Sequence, residues 1–210
     1  VPEDYSILFL QGGANMQFNM IPYNILNEEE TANFVETDIW STRAEEETRL
    51  YGKTRIIASS KATNFTSIPK DFTVDADATY LHLTSNNTIY GTEFLEDKSY
   101  PIPVVCDMSS DIFSRPVDIS KYHLIYAGAQ KNLGASGITL VIIKNEWLGR
   151  SKRPKSKMWD YSIYAKNNSL YNTPPVFTIY TCLLTLRWLK KLGGVAEMEK
   201  RNQAKEIGRA

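Results

Sequence analysis

The sequence has few of the residues from which metal centres, disulfide frameworks and histidine-based catalytic sites are built. Its 210 residues include two histidines, His82 and His123, and two cysteines, Cys106 and Cys182. The histidines stand far apart in strand-like segments, so neither a metal site nor a catalytic triad is expected. Each cysteine lies in an apolar run, which is typical of buried, unpaired thiols in cytosolic proteins. The sequence therefore predicts no metal site and no disulfide.

Excess charge of one sign and long apolar runs are also absent. Lysine plus arginine and aspartate plus glutamate each number 24, and no long basic block stands out. Nucleic acids and membrane surfaces attract clustered lysine and arginine, so neither is an expected partner. No apolar stretch approaches the roughly 20 residues that cross a bilayer. These absences predict a cytoplasmic protein with neither kind of partner.

Three short apolar runs in the middle of the chain predict buried strands. They are Ile102–Cys106, which leads into Asp107, His123–Gly128, which leads towards Lys131, and Ile138–Ile143. Short Val/Ile/Leu runs bounded by turn residues are typical of strands that helices cover on both faces. Ligands of such sheets bind just beyond the carboxyl ends of the strands. Asp107 and Lys131 are therefore the first candidates for a functional site.

Strands alternate with helical patterns along the rest of the chain. This alternation predicts an α/β fold, with a mainly parallel central sheet flanked by helices. Further strands are expected at residues 6–10, 32–37, 55–60 and 79–84. Helices are expected to begin near Asn15 and at Ser41 or Thr42, and another to run from the Asn172–Pro175 segment through Leu192.

Two of these predicted helix starts follow residues that suit a ligand. Gly12-Gly13 precedes Ala14 and Asn15, and a glycine turn that opens a helix offers free backbone N–H groups to an anion such as phosphate. The same pattern also occurs as plain turn geometry. Trp40 comes just before the second helix start, either as a core side chain or as a flat face for a planar ligand.

Lys131 and Asp107 gain meaning as a pair. A lysine at a buried strand end has a lowered pKa and can form a Schiff base, although a loop lysine on the surface is the simpler interpretation. Asp107 is either a turn or cap residue, or a partner for a protonated pyridine nitrogen. With the glycine turn, Trp40 and the hydroxyl of Thr88, the two residues offer every contact that pyridoxal phosphate requires.

Four segments resemble the phosphoserine aminotransferases, a family of fold-type-I enzymes that depend on pyridoxal phosphate. The segments are QGGANMQFNMIPYNIL, HLTSNNTIYGTEF, CDMSSDIFSRPVDISKYHLIYAGAQKNLGASGITLVI and YNTPPVFTIY. The similarity extends over essentially the whole chain. It implies the large domain of fold-type-I enzymes and transfer of an amino group between glutamate and 3-phosphohydroxypyruvate, which gives phosphoserine and 2-oxoglutarate in serine biosynthesis.

The resemblance also implies a role for each site residue. Lys131 would hold the cofactor through an imine and carry the proton between the substrate and cofactor carbons, and Asp107 would bind the pyridinium. Trp40 would stack on the ring, and Thr88 would lie near its hydroxyl. Phosphate contacts would come from Ala14, Asn15 and Gln130, and from Asn172 and Thr173 of the other subunit of a homodimer.

Some positions depart from the family pattern. Ala14 and Asn15 stand where Gly, Arg or Ser is frequent, so backbone N–H groups are expected to bind the phosphate there. Asn87 replaces a frequent Glu, and Tyr90 replaces Asp or His, which is expected to reshape the pocket. Neither change affects a group that the cofactor requires.

The chain is expected to be a piece of a longer polypeptide. It begins on Val1 without Met and ends at Ala210 inside a charged helical pattern. Residues 1–185 are predicted to form the cofactor domain without its N-terminal segment, and residues 186–210 a helix connecting to a C-terminal small domain. The arginines that bind the substrate in the family would lie outside this sequence, so cofactor binding with little or no turnover is expected of the chain alone.

Other functions remain open at this point. One is another fold-type-I enzyme, such as a different aminotransferase or a cysteine desulfurase, although the latter needs a mobile, reactive cysteine. A nucleotide-binding module would lack the expected G-x-G-x-x-G spacing. The last alternative is a chain that binds pyridoxal phosphate without turnover, or a catalytically inactive structural partner.

Overall fold

A computed structural model describes residues 1–206 of the chain, and this part contains nine β-strands and five α-helices. The strands are β1 (Tyr5–Leu10), β2 (Thr31–Glu36), β3 (Lys53–Ser59), β4 (Tyr80–Thr84), β5 (Asn86–Asn87), β6 (Thr92–Glu93), β7 (Val104–Asp107), β8 (Leu124–Gly128) and β9 (Thr139–Lys144). The helices are α1 (Gly13–Ile25), α2 (Ile39–Thr48), α3 (Tyr161–Lys166), α4 (Val176–Lys191) and α5 (Val195–Glu206).

Seven strands form one sheet in the order β1-β9-β8-β7-β4-β2-β3. The four pairings from β8 through β7, β4 and β2 to β3 are parallel. β9 pairs antiparallel with both β8 and β1. The predicted α/β fold with a mainly parallel sheet is therefore confirmed, and its antiparallel part lies at one side. β5 and β6 form a separate small hairpin within the polar turn that follows β4.

The central strands are buried on both faces, as their continuous apolar character predicts. In β8, Tyr126 packs with the cluster under α1 and α3, which includes Phe18 and Tyr161. Its neighbour Ile125 faces the opposite cluster, which includes Cys182 of α4. Packing on both faces of the sheet therefore fixes where β7 and β8 end and where the residues just beyond them lie.

α1 begins at Gly13, near Asn15 as predicted, and Gly12 before it adopts a left-handed conformation with φ of +93°. The second predicted helix start requires correction. α2 begins at Ile39 with Asp38 as its N-cap, and not at Ser41 or Thr42. The Asp38 carboxylate accepts hydrogen bonds from the backbone N–H groups of Trp40 (3.1 Å) and Ser41 (2.7 Å). The Ser41 hydroxyl accepts from Asp38 N–H at 3.0 Å, which completes a capping box.

The predicted boundary at residue 185 falls inside α4, which continues to Lys191 before Gly193-Gly194 separates it from α5. The division into a cofactor domain and a connecting helix stays a prediction. Residues 207–210 of that predicted helix lie outside the described residues.

Candidate active site

One cavity lies at the carboxyl ends of β4, β7 and β8. Its open space, including the mouth, is about 540 Å³. Six of the nine predicted site residues line it: Ala14, Asn15, Trp40, Asp107, Gln130 and Lys131. Asp107 is the last residue of β7, and Lys131 follows the end of the neighbouring β8. The predicted pairing of these two side chains at adjacent strand ends is thus present in the structure.

Asp107 is the buried acid of the cavity, with 5% of its surface exposed. Burial raises its pKa to about 6, while hydrogen bonds from Ser109 and the charge of Lys131 oppose the rise, and the charge of Asp38 adds to it. The Ser109 N–H donates to Oδ1 at 2.8 Å, and the Ser109 hydroxyl accepts from Gly128 N–H at 3.0 Å. Ser109 thereby ties the ends of β7 and β8 together. A buried carboxylate of this kind favours a cationic or proton-donating partner.

Lys131 is exposed on the turn after β8 and is not desolvated by a buried strand end. The expectation from the sequence that Lys131 is buried is therefore wrong, although the position of Lys131 after β8 is as predicted. The turn carries the lysine past Ala129, the buried residue that follows β8, and out of the sheet. Its ammonium donates to Thr88 Oγ1 at 3.0 Å and lies 6.0 Å from the centre of the Trp40 ring. These contacts hold Nζ on the cavity side.

The start of α1 supplies a place for an anion. Gly13, Ala14 and Asn15 line the cavity, and no side chain among the described residues caps this helix end. The first turn of α1 also has no acidic residue. Its backbone N–H groups are therefore available, and the positive end of the helix dipole points the same way.

Trp40 is half-buried at the first turn of α2 and lines the cavity. The capping box of Asp38 fixes its backbone, and the Arg43 guanidinium carbon lies 5.0 Å from its ring centre. Its buried Nε1 has no hydrogen-bond partner among residues 1–206. The ring is thus a fixed flat surface, which suits the predicted stacking role better than a fully packed core position.

Three predicted site residues lie outside the cavity lining. Thr88 is exposed, and its hydroxyl accepts a hydrogen bond from Lys131 of the cavity. Asn172 accepts a hydrogen bond from the Tyr164 hydroxyl at 3.2 Å, and the Thr173 carbonyl accepts from Gln11 at 3.2 Å. Neither Asn172 nor Thr173 lines the cavity of its own chain.

Sequence reasoning missed several residues of the site. They are Thr84, Asn86, Ser109 and Ser110, whereas Gly13, which also lines the cavity, belongs to the predicted glycine turn. Thr84 ends β4, so the rule that pointed to Asp107 would also have identified it. The two serines stand directly after Met108 in the DMSS segment. Asp38 is a further buried acid, and burial raises its pKa. Its Oδ2 is without a partner in the described part of the chain.

The two cysteines are buried and unpaired. Burial is the main cause that raises the pKa of the Cys106 thiol well above its ordinary value, and it raises that of Cys182 as well. Neither thiol is therefore available as the thiolate nucleophile of a desulfurase. Within residues 1–206, no group of three or more His, Cys, Asp or Glu side chains is placed to hold a metal ion. No helix in this range is long and apolar enough to span a bilayer.

Comparison with known proteins identifies the family. A family model for class-V aminotransferases matches residues 1–207. The chain belongs to this family. Among curated class-V relatives, the phosphoserine aminotransferase of Bacillus subtilis is 54% identical over 206 residues, which make up 98% of this chain and 57% of that protein.

Solved structures of class-V aminotransferases share the fold. The phosphoserine aminotransferase of Bacillus circulans subsp. alkalophilus superposes with a TM-score of 0.91 at 46% identity, over 96% of this chain and 57% of that one. The enzyme of Trichomonas vaginalis, solved with pyridoxal phosphate bound, gives a TM-score of 0.91 at 36% identity, over 99% and 59%. The fold is that of the fold-type-I large domain, and the chain spans little more than half the length of these relatives.

Proposed function

We propose that this chain is the cofactor-binding part of a phosphoserine aminotransferase. The reaction transfers an amino group between glutamate and 3-phosphohydroxypyruvate and yields phosphoserine and 2-oxoglutarate, on the route to serine. One observation carries the proposal: an amine, Lys131, and a buried acid, Asp107, line one cavity from the ends of neighbouring strands. The 54% identity to the Bacillus subtilis enzyme supports the choice of substrates.

The residues of the cavity fit pyridoxal phosphate. The uncapped start of α1 at Gly13, Ala14 and Asn15 would bind the phosphate, with Gln130 beside it. Trp40 offers its face to the ring. Asp107, whose pKa burial raises to about 6, is suited to a protonated ring nitrogen, because the cation restores the charge that burial disfavours. Lys131 is the one amine that lines the cavity in the described part of the chain.

Each side chain has a defined task. When bound, pyridoxal phosphate supplies a protonated pyridine that accepts the electron pair left by deprotonation of the substrate α-carbon. The Asp107 carboxylate would keep the proton on the ring nitrogen. Lys131 Nζ would move the proton between the substrate carbon and the cofactor carbon, and Thr88 Oγ1, 3.0 Å from Nζ, positions that amine. Trp40 would cover the ring and exclude water from it.

We further propose a homodimer in which Asn172 and Thr173 serve the neighbouring cavity. Neither residue lines the cavity of its own chain. The adjacent helix α4 carries an apolar face that is exposed in the single chain, with Phe177 75% and Trp188 55% exposed. Large apolar side chains that are exposed together on one helix are typical of a protein interface. The unpaired thiols of Cys106 and Cys182 support the proposed cytoplasmic location.

A panel of amino donors tests the function. A version of the protein that spans the full length of its relatives is loaded with pyridoxal phosphate and mixed with phosphoserine, glutamate, aspartate or alanine, and mass spectrometry measures the oxo acid released. We expect 3-phosphohydroxypyruvate from phosphoserine and 2-oxoglutarate from glutamate, up to one per bound cofactor. Lys131→Ala should abolish both, whereas Lys166→Ala, which removes an exposed lysine of α3, should not.

Other outcomes select the alternatives. Release only from aspartate or alanine would indicate a different fold-type-I enzyme. Bound cofactor with no release from any donor would indicate a chain that binds pyridoxal phosphate without turnover.

A further inference from the structure

A hydrogen bond between two side chains spans β7 near Asp107, on one face of the sheet. His82 of β4 and Tyr126 of β8 flank β7, and the His82 Nε2 and Tyr126 Oη atoms are 2.9 Å apart. In the register of the sheet, His82 pairs with Val105 and Tyr126 pairs with Asp107. The His–Tyr bond therefore spans β7 on the face of the sheet that carries the Asp107 carboxylate. Tyr126 lies within the hydrophobic cluster under α1 and α3.

The bridge is rigid and closed to solvent. His82 is 3% exposed and Tyr126 is fully buried. The Phe34 ring stacks on His82 with centres 5.0 Å apart, and the Phe18 ring meets Tyr126 edge-on at 6.3 Å. Burial lowers the pKa of His82 to about 3, so the imidazole is neutral at neutral pH and has one N–H. Whether this proton is on Nδ1 or Nε2 of His82 decides whether the Tyr126 hydroxyl donates or accepts in their hydrogen bond.

Two proton arrangements are available. If Tyr126 donated to His82 Nε2, the His82 proton would sit on Nδ1, which is buried and without a partner among the described residues. If His82 Nε2–H donates to Tyr126 instead, the Tyr126 proton is free to point towards Asp107. This arrangement avoids a buried N–H without an acceptor and supplies a donor to a buried carboxylate. Asp107 and Tyr126 are direct register partners on neighbouring strands, and burial, followed by the charge of Asp107, raises the pKa of Tyr126.

We propose that Tyr126 and His82 are positioning residues for Asp107: His82 orients the Tyr126 hydroxyl, and this hydroxyl keeps the Asp107 carboxylate charged and directed at the ring nitrogen. The inference rests on the proposed function, since it concerns how Asp107 is prepared for that nitrogen. Other groups also act on Asp107. Asp38, before α2, opposes its charge, and Lys131, after β8, favours it.

The test measures the pKa of Asp107 in cofactor-free protein. Carboxyl carbon-13 spectra of aspartate-labelled protein are recorded across pH, and Asp107→Asn identifies the resonance. Tyr126→Phe removes only the hydroxyl and should raise the pKa of Asp107 by about one unit. Tyr80→Phe is the matched control, since Tyr80 is equally buried on the same cluster. It should leave the pKa unchanged.

Two further variants separate orientation from packing. His82→Leu should raise the pKa of Asp107 in the same direction, and His82→Gln, which restores an N–H donor, should reverse most of the rise. An unchanged pKa in folded Tyr126→Phe would overturn the proposal, as would equal effects of His82→Leu and His82→Gln. These measurements need no cofactor, so they remain decisive even if the protein fails to bind pyridoxal phosphate, which would contradict the proposed function alone.

Discussion

Asp107 shows how its surroundings prepare a single side chain for chemistry. As the last residue of β7 it is buried, and burial raises its pKa to about 6. In the unfolded chain Asp107 has its ordinary pKa of about 4, so it loses its proton at a lower pH than in the folded protein. The free energy of unfolding therefore falls as pH rises from about 4 to about 6. His82 acts in the opposite direction, because burial lowers its pKa to about 3. The contribution of Asp107 to the pH dependence of stability is therefore isolated only by comparing a variant with the original protein.

Asp107→Asn is expected to change the pH dependence of stability. The variant lacks the titrating group, whereas the effects of His82 and of Asp111, a further acid whose pKa burial raises to about 6, are common to both proteins and cancel. The stability of the variant relative to the original should therefore rise by about 2 kcal/mol between pH 4.5 and pH 7. Urea unfolding of the cofactor-free proteins at both pH values measures this. A difference that stays constant with pH would show that Asp107 is not perturbed by burial.

At this scale the sequence predicted positions better than environments. Asp107 and Lys131 follow visible apolar runs, so the strand-end rule found both. The exposure of Lys131 was not predictable, because it depends on how far the turn after β8 extends from the sheet. The His82–Tyr126 contact was not predictable either, since residues 44 positions apart meet only through the register of three strands.

Helix α1 shows how a pair of glycines determines the conformation at the start of a helix. Gly12 and Gly13 both have positive φ, +93° and +66°. A Cβ atom on Gly12 would lie 2.5 Å from Met16 Cβ, whereas one on Gly13 would meet nothing within 4 Å. The two glycines therefore separate the cost of a left-handed backbone from the cost of a clash.

Gly12→Ala and Gly13→Ala form a matched pair. Gly13→Ala should cost about 1–2 kcal/mol of stability through its left-handed backbone alone. Gly12→Ala should cost a further 1–3 kcal/mol or so, because Met16 and the first turn of α1 must move. Urea unfolding at neutral pH measures both. Equal losses would mean that the close approach of Met16 plays no part in setting the start of the helix.

The helix starts also show where prediction at this scale fails. α2 begins at Ile39 because the carboxylate of Asp38 binds two backbone N–H groups. Asp38 and Ser41 are both suitable caps by type, and the capping box uses both, so spacing alone did not select the first. For α1, the glycine turn was recognised, and the helix begins at Gly13, near Asn15 as predicted.

For the whole molecule, the alternation of strands and helices was enough to predict a mainly parallel sheet. It was not enough to order the strands, because β9 and β1 join antiparallel at one side and apolar runs do not encode direction. The exposed apolar face of α4 likewise has meaning only once the fold is known. In sequence it looks like any buried helix.

A charge on that face should disrupt the proposed dimer. Phe177→Asp places a carboxylate at a side chain that is 75% exposed in the single chain, and the dimer should weaken at least about tenfold. Leu50→Asp is the control, since Leu50 is 71% exposed after α2, away from α4. Sedimentation velocity across a concentration series reports both. Equal association of the two variants would remove α4 from the interface.

The account depends most on one bond, between Lys131 and the cofactor. The protein is incubated with pyridoxal phosphate, reduced with borohydride and digested, and the pyridoxyl label is located by peptide mass spectrometry. The account predicts one label per chain, on Lys131, and none on the Lys131→Ala variant. A label on another lysine, or undiminished labelling of the variant, would contradict it.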